Sequence, residues 1–288
     1  MIIKDYIDIC KPKVIILMII TSWIGMVLAD PSNLDLNLFI FGTIGILFCS
    51  SSGAAINHMI DRNIDKDMKR TKNRPIVKGR LTPFQAMGFS LILSFLGIFI
   101  LIKMVNITCA ILNFISLIGY GFVYTIYLKH NTPQNIVIGG LYGAMPPLLG
   151  WSAISGDINP YAILLVLIIF TWTPPHFWAL SIYRFNDYKK VNIPMLPVIH
   201  GIKFTKLCII LYVLLLKITA ILLYATGMAG AIYLLSSIIL GLLFLKESIQ
   251  LYLTEDALQG KKTFKFSINY LFLLFIFLLF DQYFWLLI

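Results

Sequence analysis

Long apolar stretches dominate the chain. Nine can be marked, at residues 14–29, 36–60, 84–102, 105–128, 134–154, 158–182, 207–226, 228–245 and 266–288. Most approach or exceed the ~20 residues a helix needs to cross ~30 Å of hydrocarbon. The first is short and extends back to Pro12, a residue tolerated in a first turn. Backbone polar groups in lipid must be satisfied within the segment, which leaves helices as the spanning element. No run alternates with the period of two that an outer-membrane barrel requires. The pattern predicts an all-α, polytopic membrane protein of nine transmembrane helices. It predicts one domain over residues 1–288, with two substantial loops, after spans two and six.

Composition agrees. Of the 288 residues, 59% are hydrophobic and only 12% are charged, and the mean hydropathy is +0.88. A soluble domain carries roughly a quarter charged residues. The net charge of +10 raises nucleic acid as a partner, so the placement of the charges matters. With the N-terminus taken as cytoplasmic, the five inner segments hold three, eight, one, five and four Lys or Arg, together 21 of the 23. Lys103 alone falls on the other side, and Lys217 lies within a span. This is the positive-inside asymmetry. It predicts a cytoplasmic N-terminus and accounts for the charge without nucleic acid, and the apolar runs themselves predict a lipid bilayer partner, with a cell (plasma/inner) membrane as the expected location. The first run has the basic flank of a signal peptide but no convincing small-x-small site before Asp30, so it reads as a span. Cys10, Cys49, Cys109 and Cys208 lie far apart and suggest neither a disulfide framework nor a zinc site.

The most basic stretch, "NHMIDRNIDKDMKRTKNRPIVKGR" (57–80), contains three of the thirteen acids, Asp61, Asp65 and Asp67. Asn57, Asp61 and Asp65 are spaced i, i+4, i+8, which stacks them along one helical face. Neighbouring carboxylates there repel, and the C-terminal end of a helix disfavours negative charge, so something positive should compensate. Local ion pairing is one answer: Asp65 with Lys69, and Asp61 with Arg62 or a neighbouring loop. The other is a divalent cation. Carboxylate and amide oxygens suit Mg²⁺, which takes one or two protein carboxylates and fills its shell with water and substrate phosphate. Lys69, Arg70, Lys72, Arg74, Lys78 and Arg80 would then meet the phosphate charge.

Span six ends in "YRFNDYKK", where Asp187 is the only acid in residues 158–246, surrounded by Arg184, Lys189 and Lys190. On its own this reads as a solvated loop with one salt bridge. His176 follows Pro174-Pro175 inside the span, ~16 Å along a helix from Asp187. An ionisable side chain at that depth is a functional candidate. The alternative is a neutral histidine bonded to a carbonyl that the prolines leave without a donor. Span five carries Gly139, Gly140, Gly143, Gly150 and Pro146-Pro147, which reads as tight packing or as the wall of an intramembrane cavity at the centre of the bundle.

The segment N57-x-x-x-D61-R62-x-x-D65, followed by R70-T71-x-N73-R74-P75, resembles the first aspartate-rich motif of the UbiA superfamily of intramembrane prenyltransferases. "TPQNIVIGGLYGAMPPLLGW" (132–151), "TWTPPHFWALSIYRFNDY" (171–188) and "NIPMLPV" (192–198) narrow the resemblance to the branch that farnesylates protohaem IX. It covers nearly the whole chain. The resemblance implies transfer of farnesyl from farnesyl diphosphate to a vinyl group of haem b, giving haem O for a downstream haem-modifying enzyme. It implies Mg²⁺ held by Asn57, Asp61, Asp65 and Asp187, with Asp61, Asp65 and Asp187 as the catalytic acids. Arg70, Arg74, Arg184 and Lys189 would bind substrate, and His176 would contact the haem or take a proton late in the reaction. The second motif is incomplete, because Val191 stands where much of the superfamily has another Asp. A UbiA enzyme acting on an aromatic quinone precursor would share the Asp motifs without needing "TPPHFW" or "NIPMLPV". A transporter or lipid carrier would share the spans, without an evident need for Asp spacing beside a basic loop.

Overall fold

The structure is a computed structural model that describes residues 2–68 and 71–287, with the side chains of 3–68 and 71–284. It is helical, with no strand among the described residues. A short helix α1 (Ile2–Ile9) precedes α2 (Pro12–Ala29) and α3 (Leu36–Ile60). Then come α4 (Arg62–Asp67), α5 (Pro83–Val105) and α6 (Ile107–Asn131). The fifth span, Asn135–Ser155, is broken into α7 (Asn135–Ala144) and α8 (Pro146–Ser155). The remainder is α9 (Pro160–Tyr183), α10 (Phe185–Lys190), α11 (Leu196–His200), α12 (Ile202–Ala225), α13 (Ala231–Leu253) and α14 (Ala257–Leu287). Nine segments among the described residues are long and apolar enough to cross a membrane, as the runs predict, so the chain is a multi-pass membrane protein.

The helices outrun the apolar stretches at several ends. The span expected from residue 207 begins at Ile202, the one expected to end at 245 reaches Leu253, and the last begins at Ala257 rather than 266. Hydrophobicity marks the part of a helix that lipid covers, whereas backbone bonding continues into water. At 31 residues, α14 is ~46 Å long against ~30 Å of hydrocarbon, so its basic first turns extend beyond the core. Caps mark several ends. Asp35 accepts from the Asn37 and Leu38 amides at α3, and Thr82 and Gln85 form a reciprocal capping box at α5.

The chain divides into two compact units, residues 1–131 with 145–159, and residues 132–144 with 160–288. One of the three crossings between them falls at the α7–α8 break, where Pro146 and Pro147 restart the helix. In the first unit α8 lies backbone-close against α2. A Cβ at Gly25 would collide with the Pro147 carbonyl, and one at Gly150 with the Ser22 carbonyl. Ser22 Oγ donates to the Pro146 carbonyl at 3.0 Å. Around these glycines the observed arrangement is tight packing between small residues. In the second unit, α9 runs on through Pro174 and Pro175 and packs against α12 and α14. Thr171 and Thr219 hydroxyls meet at 3.1 Å, and Trp172 Nε1 donates to the Ser267 carbonyl at 2.7 Å. Large apolar side chains such as Phe84, Phe95 and Leu235 are exposed, as lipid-facing residues are.

Candidate metal–diphosphate site

The first acidic motif sits where α3 ends. Asp61 is a turn residue rather than part of one unbroken helix, yet the ladder persists across it. The Asp61 amide donates to the Asn57 carbonyl at 3.0 Å, and the Asp65 amide to the Asp61 carbonyl at 2.9 Å. Asn57, Asp61 and Asp65 therefore keep the expected i, i+4, i+8 register. All three are buried, the two aspartates at 3% exposure.

Each receives a cation from a different part of the first unit. Lys129, at the end of α6, donates to Asp61 Oδ2 at 2.6 Å. Arg74, in the loop after α4, donates to Asp65 Oδ2. Lys11, between α1 and α2, donates to Asn57 Oδ1. Lys11 has a left-handed backbone (φ 55°), and its ammonium also lies 6.0 Å from the Tyr120 ring centre. Loss of hydration, reinforced by the Arg74 charge, pushes its pKa down to about 7. Asn57 Nδ2 donates to Thr125 Oγ1 at 3.2 Å. Thr125 lies in a π-helical stretch, Gly119–Leu128, and its own hydroxyl donates to the Tyr120 carbonyl five residues back, at 2.8 Å. Thr71 Oγ1 donates to the Asp65 carbonyl at 3.0 Å and pins the start of the basic loop.

One oxygen stands out. Asp61 Oδ1 is buried and has no hydrogen-bond partner among the described residues. A buried carboxylate oxygen left in that state is costly, and a hard cation would satisfy it. The donor set agrees, being amide and carboxylate oxygen only. Among the described residues no group of three His, Cys, Asp or Glu side chains gathers as a closed metal cage. Asn57, Asp61 and Asp65 would thus hold Mg²⁺ only together with water and substrate phosphate.

Asp61 pairs with neither Arg62 nor a loop but with Lys129 at the end of α6, while Arg62 donates to the Met59 carbonyl at 3.2 Å. Lys69 and Arg70 lie outside the described residues. Arg80, expected to face phosphate, is instead engaged by Asp5, with Nε to Oδ1 at 2.8 Å. Lys11 and Lys129 meet the row although the motif itself does not point to them. The sequence signal for both is slight: they are cations at the ends of apolar runs, 46 or more residues from the acids and amide they meet.

In the second unit, Asp187 is on α10 and half-buried, its side chain 24% exposed. Its partner is Arg184, three residues before it, at 3.6 Å. Lys189 is exposed, with its ammonium 5.9 Å from the Phe185 ring centre. Val191 follows the end of α10, and Asn192 is exposed with φ 52°, a left-handed conformation that Asn tolerates. His176 is buried on α9, stacked on Trp172 at 4.2 Å and beside Phe264 at 4.5 Å between ring centres. Its Nδ1 shares a hydrogen bond of 2.8 Å with Ser267 Oγ, so its partner is a hydroxyl on α14 and not a carbonyl left open by the prolines.

Residues 18–279 match the UbiA prenyltransferase family. The chain is 53% identical over 281 residues to "Protoheme IX farnesyltransferase" of Legionella pneumophila strain Paris, covering 98% of this chain and 96% of that protein. A solved digeranylgeranylglyceryl phosphate synthase superposes with a TM-score of 0.82 at 21% identity, over 97% of this chain and 98% of that one. A UbiA homologue from Archaeoglobus fulgidus bound to GPP and Mg²⁺ superposes with a TM-score of 0.64 at 15% identity, over 95% of this chain and 99% of that one.

Proposed function

The chain belongs to the UbiA prenyltransferase family, and from that premise we propose that it transfers farnesyl from farnesyl diphosphate to a vinyl group of protohaem IX, giving haem O and diphosphate. The observation that carries the reading is the Asn57–Asp61–Asp65 row, with its three inserted cations and the partnerless Asp61 Oδ1. Asn57, Asp61, Asp65 and Asp187 would hold magnesium. The chemistry supplied by bound magnesium is neutralisation of charge on the departing diphosphate. Arg70, Arg74, Arg184 and Lys189 would bind diphosphate oxygens. With cations already seated on its acids, the first motif stays folded before substrate arrives, and the same cations then counter the phosphate charge. Exclusion of bulk water protects the allylic cation left by C1–O cleavage until the vinyl group attacks. Water then adds to the cation left on the former vinyl carbon and loses a proton, completing the hydroxyethylfarnesyl group. His176 would contact the haem through Nε2, since Nδ1 is engaged by Ser267. The positive-inside distribution supports a cytoplasmic N-terminus in the cell inner membrane, with the diphosphate site opening on the cytoplasmic face. A haem-modifying enzyme would take up the product.

Pigments extracted from cells expressing the protein test this. The expected result is a new, more hydrophobic haem that disappears in Asp61→Ala. A prenylated quinone precursor in its place, or normal haem conversion by Asp61→Ala, would overturn the reading.

A further inference from the structure

The shape of the basic loop has to come from somewhere. Residues 71–82 form no long helix, only nested turns. Thr71 and Lys72 amides donate to the Met68 carbonyl, the Arg74 amide to Thr71, the Lys78 amide to Arg74 and the Arg80 amide to Pro75. Such a segment is held by what it packs on. Lys72 and Lys78 are exposed, whereas Thr71, Pro75, Ile76 and Leu81 are buried.

The packing partner is α1. Ile9 of α1 forms a buried cluster with Ala55 of α3, Ile76 and Leu81 of the loop, and Ala86 of α5, joined by Tyr6, Met59 and Phe89. Tyr6 and Phe89 rings meet at 4.8 Å. Asp5, buried at 7% exposure, accepts from Arg80 Nε at 2.8 Å, and Arg80 Nη2 donates to the Asn73 carbonyl, the residue before Arg74, at 3.4 Å. Two residues after Ile9 comes Lys11, whose ammonium reaches Asn57. One eight-residue helix and its exit thus touch both the loop that carries Arg74 and the first oxygen donor of the acidic row.

We infer that Asp5 and Arg80 are positioning residues for the diphosphate loop: their ion pair ties α1 to residues 71–81 in the shape that presents Arg74 to Asp65. The inference rests on the diphosphate reading above. Arg80 then acts through the loop rather than on substrate, although by charge alone it belongs with the phosphate-facing arginines. The two roles give opposite signs. As a positioning pair, loss of Asp5 loosens the loop and weakens diphosphate binding. As a phosphate contact, Arg80 would be released by loss of Asp5, and binding would hold or tighten.

The test uses the full chain in detergent or lipid nanodiscs, with Mg²⁺ and inorganic pyrophosphate titrated calorimetrically and farnesyl diphosphate varied in turnover assays. Asp5→Asn is expected to weaken pyrophosphate binding and raise KM for farnesyl diphosphate about tenfold, with kcat within about twofold. Arg80→Gln, altered on the more exposed side of the pair, is a second variant that should show the same split if Asp5→Asn folds poorly. The charge-exchanged double variant Asp5→Arg/Arg80→Asp should recover most of the lost affinity. Wild-type or tighter pyrophosphate binding by Asp5→Asn, or abolished binding in the exchanged variant alongside a wild-type melting temperature, would overturn the inference. Asp61→Ala separates the layers. If it loses binding while Asp5→Asn does not, only the positioning role falls. If it binds pyrophosphate as wild type does, the diphosphate reading falls and takes the positioning role with it.

Discussion

The two acidic loops solve the same electrostatic problem differently. In the first, Asp61 and Asp65 are buried, and their partners Lys129 and Arg74 stand 68 and 9 residues away in sequence. In the second, Asp187 is partly in water, and its partner Arg184 is three residues away on the same turn. Burial is the cause of the difference. A carboxylate out of water must be paired, because an uncompensated buried charge costs several kcal/mol. A carboxylate in water needs no partner, and an exposed i,i+3 pair is worth only ~0.2–0.5 kcal/mol. The acids of the first loop are therefore compensated by cations that other segments of its unit bring to them. The second holds its acid ready at little cost to stability either way.

This contrast can be broken or sharpened in a graded series. The largest effect is expected from Asp61→Ala. It removes a proposed magnesium ligand and leaves Lys129 facing an empty position. Haem O formation in membranes should fall by ~10²–10³-fold or more, the scale of losing one transition-state charge contact. Next comes Lys129→Met, which leaves Asp61 buried without its cation and should cost about 3 kcal/mol in thermal unfolding. Because magnesium with a diphosphate analogue would supply the missing charge, much of that deficit should vanish when both are added. An equal deficit with and without them would show that Asp61 does not meet the metal. Asp187→Asn should separate the loops most clearly. Stability should change by less than ~0.5 kcal/mol, while turnover falls at least ~10-fold. Loss of stability with intact turnover would reverse the roles assigned to the two loops. The smallest effect is expected at Lys189→Ala. This exposed side chain would lose one solvent-screened diphosphate contact and should raise KM about threefold, read from initial rates at varied farnesyl diphosphate, and an unchanged KM would remove it from the proposed set.

The sequence by itself determined the nine spans, because lipid demands ~20 apolar residues per crossing and leaves no choice of element. It also determined the register of Asn57, Asp61 and Asp65, since four-residue spacing survives the turn at Asp61 through backbone bonds alone. The motif stretches carried the family. Tertiary structure alone decided which cation meets which acid. Nothing in the local sequence distinguishes Lys129 from the other lone cations at span ends, or directs Lys11 to Asn57 across 46 residues. It also decided that Arg80 turns to Asp5 while Arg74 turns to Asp65, and that His176 finds Ser267 on α14. The physical reason is range. Periodicity and transfer energy act along the chain within a few turns, whereas a buried charge is satisfied by whatever the packed helices bring within ~3 Å of it.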